Sequence, residues 1–342
     1  MGLPRSTLQG GDVSPWTGAR RWKPGFRTWL AVLLGLMALQ AGGDGQSTSL
    51  RTSRLRLMDS NQLLQNTNPN DAMAAFRVWV ETMGRSRGYA LKVEAEIFDR
   101  LEELDKRLQT KTVDVVIRTS IDYLRTAPEG LLEAVFSYSR KTKNLFDDYV
   151  LVTRRDWKFA DITALRGKSL TLFKIGSGLG RLWLDVTLGE RGLGPVEQFF
   201  GSGTETFKAS SVVLPVFFGK SDAGLVIRDS LDTMSKMNPQ LAVKLQVLDH
   251  SPILCEGVVC LVSGFTTFRE ELMDGLASLH RDPQGKQLLL VFKVEQLVPF
   301  KPQYLDTVHD LQARWAKVKG HPSVSRDSPA AAPPPGKDKK AT

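Results

Sequence analysis

Histidine and cysteine are scarce in this chain, four and two respectively in 342 residues. His250, His280, His309 and His321 stand apart from one another, and no Gly-x-Ser-x-Gly, His-Glu-x-x-His or Walker sequence accompanies them. The familiar hydrolase, zinc-protease and nucleotide-hydrolase constellations are therefore excluded, and the chain is expected to have no enzymatic activity, cofactor or metal. The Gly-Ser-Gly-Leu-Gly run at 176–180 is followed by Arg181 where a dinucleotide-binding loop needs its last glycine, so NAD is not expected. A bilayer-spanning run is missing too. Trp29 to Leu39 is apolar over eleven residues, and a spanning helix needs about 20.

Acidic residues are the minority, 37 against 46 basic, giving a net charge of +9. The excess sits largely at the ends: residues 1–43 carry +4 and residues 323–342 carry +2, leaving +3 for the body. So weak a surplus is no phosphate-backbone footprint, and nucleic acid is not an expected partner. Hydrophobic residues at 42% and charged residues at 24% match a chain whose bulk folds in water.

At the amino end, Arg20, Arg21, Lys23 and Arg27 precede the apolar run, and the small residues of Ala-Gly-Gly follow it. This is the order of a signal peptide over residues 1–43, cleaved after Gly43 with Ala41 three residues back, or after Ala41 itself. An uncleaved amino-terminal anchor is the alternative. Either reading places the folded part in the periplasm. Cys255 and Cys260 are five residues apart, about 16 Å in an extended strand, so a disulfide requires a turn at Glu256-Gly257. Two buried thiols are the preferred reading.

Beyond the signal the chain alternates. Leu-Arg-Leu-Met-Asp reads as a strand. The segment 72–88 has apolar residues at helical spacing, with Asp71 placed to cap it. Residues 89–99 alternate as a strand, 100–111 form an amphipathic helix, and Val-Asp-Val-Val-Ile-Arg-Thr is a β-branched run suited to a strand buried on both faces. A second block holds a strand in Ser-Leu-Thr-Leu-Phe-Lys-Ile, a helix from Arg181, a helix over 205–219 and a strand over 221–229, and a strand-like run follows at 253–263. Phe76, Trp79, Phe217 and Phe218 read as core. The pattern implies an α/β protein with a first lobe in 50–150, a second in 151–252 and a return at 253–320, the two lobes being joined by crossovers. Residues 321–342, rich in Pro, Ala and Lys, form a disordered tail.

Two stretches carry a family resemblance. Residues 113–124, VDVVIRTSIDYL, are similar to the strand-and-loop signature of the phosphate, phosphite and phosphonate substrate-binding proteins of ABC transporters. LRGKSLTLF, a Ser/Gly turn opening a helix, and FKASSVVLPVFFGKSDAGLVIRD resemble the same family's second lobe, so the likeness runs from about residue 54 to residue 295. The resemblance implies a type II periplasmic-binding fold, each lobe a helix-covered mixed sheet. It also implies a monomer that holds a small oxyanion between its lobes and passes it to a permease in the inner membrane. It places Thr119, Ser120 and Tyr123 in a ligand loop, Ser177 in the gripping turn, and Lys208, with its neighbour Ser210, near a position where the family often has histidine. Where the family's turn supplies further hydroxyls, this chain has Gly178 and Leu179.

Asp59 and Ser60 join the candidate set because open α/β sheets bind ligands outside the carboxyl ends of their strands. Asn68 and Asp71 lie in the same zone, with Asp71 the better helix cap. Arg118 ends an apolar strand, and its forked donors suit a carboxylate or phosphate, the alternative being a partnership with Asp122. For Lys208 and Ser210 the alternative is a solvated surface, and for Ser177 a simple helix cap. A periplasmic sensor signalling to a membrane partner is the rival function, separable by whether neighbouring genes encode an ATPase and permease or a signalling enzyme.

Overall fold

The computed structural model describes residues 49–64, 67–126, 130–139, 145–174 and 177–320. The expected signal peptide and the tail beyond Gly320 lie outside the described residues. In chain order the elements of the first lobe are β1 (Arg51–Ser60), α1 (Pro69–Ser86), β2 (Tyr89–Phe98), α2 (Leu101–Gln109), β3 (Val115–Thr119), α3 (Ser120–Thr126) and β4 (Leu132–Ser139). The second lobe follows with β5 (Tyr149–Arg154), β6 (Ser169–Phe173), α4 (Leu179–Glu190), α5 (Val196–Phe199), β7 (Ser202–Thr206), α6 (Ser210–Phe217), β8 (Ala223–Ile227), α7 (Arg228–Met237), α8 (Pro239–Lys244) and β9 (Leu245–His250). The chain closes with β10 (Gly257–Val262), α9 (Arg269–Ser278), α10 (Pro283–Val291), β11 (Gln296–Pro299) and α11 (Asp306–Gly320).

Two mixed sheets result, ordered β11-β4-β10-β3-β1-β2 and β7-β6-β8-β5-β9. The near-continuous apolar strands are explained by burial on both faces. In β1, Leu55 and Leu57 face a core with Phe76 and Val80 of α1, while Met58 faces a second core with Leu104 and Leu108 of α2. In β5, Tyr149 and Leu151 face α4, and Val150 and Val152 face α6 and α8. Each fully buried aliphatic side chain contributes roughly 1.5–3 kcal/mol, so a helix layer on each face of a sheet is what such strands demand. The expected two-lobed α/β architecture is observed.

Two crossing segments connect the lobes and pair with each other: Leu254 N donates to Asp147 O at 2.9 Å and Ser251 N to Tyr149 O at 2.8 Å. The last helix, α11, then lies on the second lobe, where Val308 and Leu311 enter the core of Trp183 and Leu184. Arg314 fixes it with a two-pronged pair to Glu190, at 2.8 and 2.7 Å. No helix among the described residues is long and apolar enough to cross a membrane.

Several local expectations change. Asn68, not Asp71, caps α1, its Oδ1 accepting from Asn70 N at 2.9 Å. Pro69 then occupies the first helical turn, where its missing N–H costs nothing. Glu205 and Thr206 belong to β7, and the following helix starts only at Ser210. The strand expected over 253–263 begins at Gly257, because Ile253 to Glu256 are the crossing itself. Phe76, Trp79 and Phe217 are buried, but Phe218 is 64% exposed just after α6. Cys255 and Cys260 are both buried free thiols.

Candidate ligand-binding cleft

The two sheets present the carboxyl ends of their parallel strands to a shared cleft of ≈ 620 Å³, a volume suited to a small solute. From the first lobe, Asn61, Gln62 and Leu64, just past β1, and Asp99, just past β2, line it together with Thr67. The second lobe contributes Leu172, Phe173 and Lys174 at the end of β6, Glu205 of β7 and Phe207 beyond it, Tyr149, and Ser177, Gly178, Gly180 and Arg181 at the head of α4.

The head of α4 is built tightly. Gly178 caps the helix with φ of 68°, a left-handed conformation that a side chain resists. Ser177 Oγ, one residue ahead of that cap, accepts from Leu179 N at 3.2 Å and so satisfies the first N–H of the helix. A Cβ on Gly180 would stand 2.4 Å from the Tyr149 ring, so only glycine lets that ring lie against the first turn. The Tyr149 hydroxyl and the Ser177 hydroxyl both donate to the carboxylate of Glu256, which is 7% exposed on the returning crossover. A carboxylate among hydroxyl donors at the positive end of a helix is favourably placed.

Charge around the cleft is balanced. Lys174 Nζ pairs with Glu205 at 2.9 Å, and Asn61 donates to Asp99 at 2.7 Å. Arg181 bonds Asp185 at 2.8 Å and also reaches Glu197. That second contact holds the Glu197 carboxyl below its ordinary range. Lys174 is half exposed and its pair with the exposed Glu205 holds it only loosely against a competing anion, whereas Arg181 is held more firmly, between the buried Asp185 and Glu197.

Of the ten residues expected from sequence, Ser177 and Gly178 line the cleft. Asp59 and Ser60 stop one residue short of it. Asp59 is fully buried, with no well-formed hydrogen bond to either oxygen among the described residues; burial pushes its pKa well above the carboxylate range, the adjacent Ser60 N–H opposing. Arg118 is fully buried but shares the face of Val116, under α2, because strand residues alternate sides. Burial lowers its pKa, with Asp122 the largest opposing charge.

Thr119 and Ser120 spend their hydroxyls on the fold. Thr119 Oγ1 accepts from Asp122 N at 3.1 Å, and Ser120 Oγ donates to Cys255 O at 2.6 Å, fastening the returning crossover. Tyr123 packs edge-on against Phe300 at 6.1 Å, in the core under the first sheet. Lys208 and Ser210 are exposed beyond Phe207 and do not line the cleft. Asn61, Gln62 and Lys174, passed over in the sequence, obey the same strand-end rule that singled out Asp59. Glu256 carried its own signal, the lone acid inside the apolar run 253–262.

Residues 63–305 match the family described as "ABC transporter, phosphonate, periplasmic substrate-binding protein". No curated protein matches the chain. Among solved structures, XAC2383 from Xanthomonas citri, bound to ATP, is similar with a TM-score of 0.57 at 17% identity, over 79% of this chain and 99% of that one. A binding protein component of an ABC phosphonate transporter from Pseudomonas aeruginosa gives 0.54 at 12% identity, over 78% and 87%. PhnD1 from Prochlorococcus marinus, in complex with methylphosphonate, gives 0.51 at 13% identity, over 77% and 98%. Likeness at these identities concerns the fold.

Proposed function

The chain belongs to the family of periplasmic phosphonate-type substrate-binding proteins of ABC transporters, and from that premise we propose that it captures a small phosphorus or sulfur oxyanion between its lobes and delivers it to a permease. The observation that carries this reading is the cleft of ≈ 620 Å³ at the strand ends of both sheets, with the capped amino end of α4 in its wall. Helix amino ends favour anions through their N–H groups and dipole. Lys174 and Arg181 add two cations at the rim, Lys174 paired with the exposed Glu205 and Arg181 shared between the buried Asp185 and the exposed Glu197. Ser177 and Gly178 are the ligand contacts in this reading, while Asp59, Ser60, Arg118, Thr119, Ser120 and Tyr123 act by holding the first lobe and the crossover in place.

The experiment is a thermal-shift panel of phosphate, phosphite, methylphosphonate, sulfate, an alkylsulfonate, ATP, small carboxylates and amino acids. A ligand at 100 times its Kd stabilises by about 2.7 kcal/mol, a shift of several degrees for lobes of this size. A shift confined to phosphorus or sulfur oxyanions is expected. A response to uncharged or cationic solutes alone would overturn the reading.

A further inference from the structure

Glu256 is the feature of the cleft that an anion receptor does not require. Its side chain comes from the returning crossover, not from either lobe's sheet, and it is buried at 7% exposure behind the cleft wall. It accepts from Ser177 and from Tyr149, two residues that line the cleft. Ser177, one residue ahead of the Gly178 cap, in turn accepts from Leu179 N at the head of α4. The carboxylate therefore sits as a bound oxyanion would, between hydroxyl donors at the positive end of a twelve-residue helix. The anion in this seat belongs to the protein.

We propose that Glu256 is a tethered stand-in for the ligand's anionic group, occupying the seat in the empty protein and leaving it when an oxyanion enters. The proposal rests on the reading of the cleft as an oxyanion site. Two unit anions 4 Å apart near a protein surface repel enough to weaken binding by about a thousandfold, so solute and glutamate do not share the seat. The side chain is tied to the point where the lobes join: Ser120 N donates to Glu256 O at 3.0 Å, and Ser120 Oγ to Cys255 O at 2.6 Å. Displacing the carboxylate leaves these backbone bonds to the first lobe in place and releases the crossover from Ser177 and Tyr149 of the second lobe. Occupancy of the cleft and freedom of the hinge become linked, and the empty protein keeps its donors satisfied instead of bare.

The test is calorimetric titration of phosphate and methylphosphonate into the full chain, wild type, Glu256→Gln and Glu256→Ala. Glutamine keeps the size and an acceptor oxygen, and so guards against a variant that does not fold. Removing the tethered charge should tighten oxyanion binding at least tenfold in both variants, with the glutamine variant melting near the wild type. If the wild type binds and the variants bind no tighter, Glu256 is not a stand-in, although the cleft reading survives. If neither the wild type nor folded variants bind any oxyanion, both the stand-in and the cleft reading fall.

Discussion

Asp59, next to last in β1, has its carboxylate buried with no well-formed hydrogen bond to either oxygen among the described residues. Burial raises its pKa well above that of the unfolded chain, where aspartate titrates near about 3.9. The sign follows from proton uptake: above the unfolded value the unfolded chain has lost a proton that the native protein retains, so stability falls as pH climbs toward the native pKa. Asp59→Asn should therefore stabilise the protein on the order of 1–3 kcal/mol at pH 8, and the gain should vanish below pH ~4. Denaturant melts across that range check it; a gain independent of pH would show that charge is not the cause. Cys255 and Cys260 differ in kind, because burial pushes each thiol up to about 12. At pH 8 neither should react with a thiol reagent until the protein is unfolded, since the thiolate is the reactive species. Rapid labelling of the native protein would contradict their burial.

At the scale of elements, the strands legible in the sequence were those in which burial on two faces leaves a run such as residues 115–117 or 223–227 wholly apolar, whereas β4, β5, β7, β9 and β11 were not read as strands. The family likeness was legible in the same runs. Less legible were features made by distant partners. The Asn68 cap was hidden behind Asp71 because both residue types serve, and only the position of Pro69 decides between them. The cleft lining was legible at Ser177 and Gly178 but not at Tyr149, nor was Glu256 behind that wall, which meets both hydroxyls only through the fold of the crossovers. Gly180 is the link: its missing side chain admits the Tyr149 ring. Gly180→Ala should cost about 1–3 kcal/mol by overpacking and disturb the Tyr149–Glu256 contact. Unchanged stability would mean that the ring has room to move aside. The docking of α11 on the second lobe is likewise set by tertiary packing, through Val308 and Leu311, both fully buried. Leu311→Ala is expected to lose about 2–5 kcal/mol in equilibrium denaturation.

For the whole molecule, the two lobes meet at paired crossovers, and the cleft lies where both sheets end. In the proposed reading the lobes close around the ligand by hinge motion, and a residue on the crossover then bears on closure in a way that a residue on a sheet does not. Net charge over the body is only +3, so in the proposed reading long-range steering of an anion is weak and its capture falls to local groups at the rim. Lys174 is the most exposed of those cations, at 52%, and carries no part of either core. The most direct measurement is a pair of calorimetric titrations with the best oxyanion of the panel, into the wild type and into Lys174→Glu. Capture in the cleft predicts 1:1 binding that the charge reversal weakens at least tenfold while the melting temperature holds; equal affinity in the two proteins would place the anion somewhere else and contradict the account.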